Sequence, residues 1–317
     1  MRLILMGTGP FAAPMAETLF DSAHEVAAVV TQPERAAVGK RPPPMAPVRR
    51  VALERGATIL DPVDVNADES RSALAALAPD LLVVADYGQI LKAETLAVAR
   101  LGGINLHGSL LPRYRGAAPI NWAIFRGETT TGVTVIAMNA RVDAGACLAR
   151  AELAIEPDEN AVELETRLAR LGAPLVLSVI DDLEAGRARP IAQDTSQATT
   201  ARRLRKSDGE VDWRRTAAEL RDQVRALEPW PRTSTHWRPR EGEPSRLILS
   251  RVAVEPLAAD APPGTVVEAA GDRLLIATGD GALRILELQP AGKRNMTAAE
   301  FLRGHAARRG DRFDRAG

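Results

Sequence analysis

The chain has 317 residues, which exceeds the usual single domain, so two domains that each bury a core are expected. Apolar residues make up 45% and charged residues 26%, and 41 basic residues balance 41 acidic ones, which excludes nucleic-acid binding through net charge alone. There is no run of about 18 apolar residues, one cysteine (Cys147) and only four histidines, so the composition predicts a cytoplasmic protein without membrane span, disulfide or structural zinc.

RLILM at 2–6 is a nearly all-apolar run, the pattern of a strand covered on both faces. GTGPFAAPMAETLF follows, with Phe11, Met15, Leu19 and Phe20 at helical spacing and Pro14 early enough for a first turn. EVAAVV, the proline-rich loop TQPERAAVGKRPPPMAP, a helix over 48–55 and ATIL come next, then buried strands DLLVVAD (80–86) and GGINLH (102–107). Strands and helices alternating at this length predict an N-terminal α/β part: an open, Rossmann-like, mostly parallel sheet with its site at the carboxyl ends of the strands.

After residue 131 the pattern changes. TGVTVIAMN and CLARAELAI predict a hairpin with Asp143 and Gly145 at its turn, and a helix over 161–183 closes this half. Residues 189–207 are polar and irregular and read as a linker. A helix over 217–227 then leads into five short strands, EPWPRTSTHW, RLILSRVAV, GTVVEA, RLLIAT and LRILELQ, with turns at Pro262-Pro263-Gly264 and Gly279-Asp280-Gly281. That succession predicts a small β-barrel of the oligonucleotide-binding (OB-like) kind. The expected division is a catalytic domain over 1–188, a linker over 189–207 and a C-terminal barrel domain over 208–317.

Gly103 to Pro119 read GINLHGSLLPRYRGAAP, a glycine-punctuated loop at the end of an apolar strand. Residues two apart on a strand share a face, so Asn105 and His107 are expected to project into one cleft, with Asp143 brought alongside. An amide that donates without titrating, an imidazole and a carboxylate that orients it are equipment for acyl transfer. Ser109, Leu110, Leu111 and Pro112 offer backbone amides and apolar walls to a flat heteroaromatic ring. Tyr87, Gly88 and Gln89 end beside the same cleft, while Arg113 and Arg115 are placed to pair with a substrate carboxylate or phosphate, or with Asp86.

Two other features need an account. GTGPFA matches the G-x-G-x-x-A form of a dinucleotide fingerprint at Gly7, Gly9 and Ala12, the basis of an alternative reading as a nicotinamide-dependent oxidoreductase. The second strand, however, ends in Thr31-Gln32-Pro33, and Glu34 comes too late to hold a ribose. Basic residues also cluster in three segments: Arg35, Lys40, Arg41, Arg49, Arg50 and Arg55; then Arg202, Arg203, Arg205 and Lys206; and a tail that includes Lys293 and Arg294. Three such segments on a neutral chain suit one polyanion, since each neutralised phosphate adds affinity through released counterions.

INLHGSLLPRYRGAAPINWAI, MNARVDAGACL, TQPERAAVGKRPPPMAPVR, VDWRRTAAELRDQVRALEPWPRTST and ATGDGALRILELQPAGKRNM together resemble the methionyl-tRNA formyltransferases over nearly the whole chain. The HGSLLPRYRGAAP block is similar to one shared across folate-dependent formyltransferases. LQPAGKR and the basic insertion after the second strand favour the initiator-tRNA members. The resemblance implies formyl transfer from 10-formyltetrahydrofolate to the free amine of methionyl initiator tRNA in translation initiation, without metal, by a monomer. It places the family's Asn, His and Asp on Asn105, His107 and Asp143, its folate loop on Ser109 to Pro112, and its tRNA-inserting loop on Thr31 through Pro47. This chain departs from the family in carrying Gly9 and Pro10 where members usually have Pro and an acidic residue, and in a less basic loop, RAAVGKRPPP. The first departure is expected to alter only a turn. A formyltransferase acting on an amino sugar nucleotide is the nearest alternative.

Overall fold

The computed structural model describes residues 1–34, 44–256 and 261–314. Two compact units emerge, one of Met1–Pro119, Thr130–Ala154 and Glu163–Arg202, the other of Ile120–Thr129, Ile155–Val162 and Arg203–Gly317.

The first unit is built on a seven-stranded sheet. In chain order it contains β1 (Arg2–Gly7), α1 (Ala13–Phe20), β2 (Glu25–Val30), α2 (Pro47–Glu54), β3 (Ile59–Leu60), α3 (Asp68–Ala76), β4 (Leu81–Ala85), α4 (Ala93–Leu96) and β5 (Gly103–His107). After α5 (Pro119–Phe125), whose residues from Ile120 belong to the other unit, come β6 (Thr130–Ala137), β7 (Cys147–Ala154) and α6 (Ala161–Glu184). The strand order is β3-β2-β1-β4-β5-β6-β7, parallel through β5 and antiparallel at β6 and β7. Leu3, Ile4, Leu5 and Met6 are fully buried, as helices on both faces of a parallel sheet require.

The strand order reverses between β1 and β4, which opens a crevice at their carboxyl ends, the usual ligand position in such sheets. Helix α6 runs against the strand direction. Near its end, Asp181 bonds His24 Nε2 at 2.9 Å, just ahead of β2, and Glu184 accepts from the amino group of Met1 at 2.9 Å. Midway, Gly172 lies flat on Leu106 of β5, where a Cβ would come within 2.7 Å of that side chain. The first turns of α6 therefore lie at the carboxyl edge of the sheet, next to the crevice.

The second unit contains α7 (Ala217–Ala226), β8 (Thr233–Arg238), β9 (Ser245–Glu255), β10 (Val266–Ala270), β11 (Arg273–Ala277), β12 (Ala282–Pro290), β13 (Met296–Thr297), α8 (Ala298–Gly304) and β14 (Arg312–Asp314). The strands run β10-β11-β12-β9-β8-β14, antiparallel throughout, with β13 on β12. The two ends of this sheet meet. Val266 N donates to Asp311 O at 2.9 Å and Phe313 N to Gly264 O at 2.6 Å, so the sheet curls into the small barrel the sequence predicts.

The barrel interior is filled by Trp213, Trp237, Phe301, Phe313 and aliphatic neighbours. Edge-to-face contacts of 5.7 Å (Trp213 with Phe313) and 5.5 Å (Trp237 with Phe301) order it, and each indole N–H finds an acceptor, Thr235 Oγ1 and Asp311 Oδ2. Helices α7 and α8 both start on a reciprocal Thr and Glu cap, Thr216 with Glu219 and Thr297 with Glu300.

Candidate active site

Strand β5 ends in Asn105, Leu106 and His107, and its alternation sends Leu106 toward α6 while Asn105 and His107 share the other side. His107 is buried, 6% exposed, and its Nε2 lies 2.9 Å from the carbonyl of Tyr114. A carbonyl only accepts, so Nε2 carries a proton and the neutral ring presents the bare Nδ1 on its other edge. Nδ1 faces Asp143 Oδ2 at 3.6 Å. Asn105 is half-buried, and its side-chain amide has no hydrogen-bond partner among the described residues.

Asp143 comes from the turn between β6 and β7 and adopts φ 50. Its Oδ2 accepts from Gly116 N at 2.9 Å. Gly116, at φ 121, is pressed onto Ala201, whose carbonyl would lie 2.6 Å from a Cβ, so this position requires glycine.

The segment expected to be a linker helps to build this site. Gln193 donates through Nε2 to the carbonyls of Asp143 (2.9 Å) and Gly145 (2.7 Å), and its Oε1 accepts from Arg115 Nη2 at 2.6 Å. Thr199 Oγ1 accepts from Tyr114 N at 2.8 Å, and Arg115 pairs through its backbone with residues 199–201. Arg115 is thereby committed to Gln193 rather than to Asp86. Neither Gln193 nor Thr199 stands out in the sequence, because single polar residues in an irregular stretch carry no periodic signal.

The loop of Ser109 to Pro112 is fixed from within. Ser109 Oγ donates to Arg113 O at 2.7 Å, and Thr134 Oγ1 of β6 both donates to Ser109 O and accepts from Leu111 N. Ser109 and Leu111 are buried, whereas Leu110 and Pro112 stay half-exposed. Tyr87 packs among Leu82, Val84 and Leu91, and burial pushes its phenol far above the usual range. Gln89 turns its side chain onto the loop before α3, accepting from Val65 N and donating to Pro62 O. A ligand beside Tyr87, Gly88 and Gln89 therefore meets their backbone.

Asp86, at the end of β4, is not among the residues singled out as a site by sequence. Its Oδ2 would lie 1.8 Å from a Cβ on residue 9, so the Asp86 carboxylate occupies the space above Gly9. The Gly9 departure thus does more than alter a turn. In a dinucleotide enzyme that space admits a pyrophosphate, and here a carboxylate repels one. Asp86 is open to solvent in a concave setting, and the protein around it pushes its carboxyl from 3.8 up to about 6. Burial, and then Asp86 itself, push Glu165 in the first turns of α6 from 4.5 up to about 7.

Among the basic residues, Arg35, Lys40 and Arg41 lie outside the described residues. Arg202, Arg203, Arg205, Lys206, Lys293 and Arg294 are all exposed, and Arg294 is paired with Glu300 at 2.7 Å. No helix among the described residues is long and apolar enough to cross a membrane.

Comparison with known proteins agrees with this geometry. Residues 1–180 match the formyl transferase family and residues 203–306 the formyl transferase C-terminal domain. The methionyl-tRNA formyltransferase of Desulfotalea psychrophila is 44% identical, covering 96% of this chain and 93% of that one, and that of Methylococcus capsulatus is 43% identical, covering 96% and 97%. Among solved structures, a sugar 3N-formyl transferase crystallised with dTDP and 5-N-formyl-THF shares the fold at a TM-score of 0.66 and 15% identity, over 93% of this chain and 99% of that one. HypX from Aquifex aeolicus with tetrahydrofolic acid does so at 0.60 and 18%, over 95% of this chain and 46% of that one. With both family regions matched in order and full-length relatives above two-fifths identity, the chain belongs to the methionyl-tRNA formyltransferase family.

Proposed function

We propose that the chain transfers the formyl group of 10-formyltetrahydrofolate to the free amine of methionyl initiator tRNA, as a cytoplasmic monomer acting in translation initiation. The observation that carries this reading is the juxtaposition of His107 and Asp143 beside the unengaged amide of Asn105. Asn105 donates to the formyl oxygen as it becomes an oxyanion, and His107, its Nε2 proton held by Tyr114, keeps Nδ1 beside Asp143 to receive and pass on a proton. As the carbon–nitrogen bond to the folate breaks, the departing nitrogen takes a proton that His107 relays and Asp143 balances. The folate donor lies along Ser109 to Pro112 and the backbone of Tyr87 to Gln89.

The first unit carries the chemistry and the barrel unit helps to hold the tRNA. Arg35, Lys40, Arg41, Arg202, Arg203, Arg205, Lys206, Lys293 and Arg294 are the residues proposed to meet its phosphates; Arg294 must first give up Glu300. The test is formylation of charged initiator against charged elongator tRNA at two salt concentrations. A preference for the initiator and weaker binding at high salt are expected, with a further loss when Lys40 and Arg41 are neutralised together. Equal rates on both tRNAs, or binding indifferent to salt, overturn the assigned acceptor.

A further inference from the structure

The β4–β5 register sets Val84 beside Asn105, so Asp86 stands level with His107 at the carboxyl edge of the neighbouring strand. It holds φ 43, a left-handed conformation, and its carboxylate lies where a Cβ on residue 9 would stand. Its carboxylate has no hydrogen-bond or ion-pair partner among the described residues, nor has that of Glu165. Around Asp86, Thr8 N donates to its carbonyl, Gly9 lies under its carboxylate, β5 sets His107 level with it, and Glu165 of α6 is the acid its charge acts on. A solvent-open carboxylate without a partner among the described residues, set in the crevice at the strand reversal, is stabilised by a cation arriving there.

We infer that Asp86 is the group that receives the acceptor's ammonium and takes its proton before attack. The inference rests on the formyl-transfer reading above. A peptide α-amino group titrates at about 7.7–8.0 and the ester beside the methionyl amine lowers this, so it is on the acid side of neutrality that the acceptor arrives largely protonated and cannot attack. One N–H bond of the ammonium breaks and an O–H bond forms on Asp86, freeing the nitrogen lone pair. That pair forms the new bond to the formyl carbon. The bond from that carbon to the folate nitrogen then breaks, a second amine proton passes to the folate nitrogen, and Asp86 returns its proton to solvent. The same carboxylate turns away acceptors that would bring a phosphate into the crevice.

The test is single-turnover formylation of methionyl-tRNA from pH 5.5 to 8.5 by the wild-type chain, Asp86→Asn, Asp86→Glu and Glu165→Gln. Asp86→Asn is expected to be about 10-fold slower at pH 6.5, with the loss shrinking to about 3-fold or less at pH 8.5, where the amine is already neutral. Glu165→Gln, neutral at every pH, is expected to leave the acidic limb where Asp86 sets it, whereas Asp86→Glu, which returns a carboxylate to the position, is expected to regain most of the rate at pH 6.5 and decides should Asp86→Asn not fold. A loss of the same factor at every pH marks Asp86 as structural and overturns the inference, as does a folded Asp86→Glu that stays about 10-fold or more below the wild type at pH 6.5. A wild-type protein that transfers no formyl group at any pH overturns instead the reading beneath it.

Discussion

His107 is held at both edges, donating through Nε2 to Tyr114 O at 2.9 Å and facing Asp143 with Nδ1 at 3.6 Å. The ring is thus fixed before any substrate arrives, and only one nitrogen is left to gain or lose a proton.

Replacing Asn105, His107 or Asp143 by Ala is therefore expected to slow single-turnover formylation by about 100-fold or more, the scale of losing one oxyanion donor. Thermal melts should stay close to the wild type for Asn105→Ala, whose amide has no hydrogen-bond partner among the described residues. Any of the three variants retaining full single-turnover rate loses its place in the mechanism.

Gln193→Ala removes the clamp on the Asp143 turn, leaving the carbonyls of Asp143 and Gly145 and the guanidinium of Arg115 without their partner. Stability should fall by about 1–3 kcal/mol and the formylation rate by about 10-fold, since the carboxylate is no longer held against His107. A drop in stability with unchanged rate would show that the turn keeps its place without the clamp.

Gly9→Ala sets a methyl group into the space of the Asp86 carboxylate and should destabilise the chain by up to about 1 kcal/mol, because the exposed carboxylate has to turn aside. In an Asp86→Ala background the same change should cost little. Additive losses in the double-mutant cycle would refute the steric coupling.

Glu165 gives a pH-dependent stability whose sign follows from its raised titration. The folded protein binds this proton more tightly than the unfolded chain, so the contribution is complete below about pH 4.5 and is lost as pH rises through about 7. Glu165→Gln should accordingly gain on the wild type between pH 5 and pH 8, by about 1 kcal/mol once partial exposure is discounted. Melting curves at those two pH values read the gap directly, and a gap that ignores pH would place Glu165 in water.

The elements with strong periodicity were legible in the sequence. All-apolar runs gave β1, β2, β4 and β5, alternation gave the β6–β7 hairpin, and the short barrel strands matched their turn residues. Helices α3, α4, α5 and α8 were not, being short, with α3 burying only Leu74 of its nine residues, too little for a visible stripe. In the site, Asn105, His107 and Asp143 announced themselves by residue type and loop setting. Gln193 and Asp86 did not, because what sets them apart is what they touch across long sequence separations: a hairpin turn for one, a bare glycine for the other.

Residues 120–129 and 155–162 pack with the barrel unit although the chain around them builds the large sheet. Asn121 donates to Ala226 O, and Arg225 to the carbonyls of Glu156 and Glu159. Cutting the gene near codon 202 would therefore yield an N-terminal fragment with two orphaned stretches and a C-terminal fragment stripped of their cover. Each half expressed alone should be sticky and readily digested, and mixing the two should restore protease resistance.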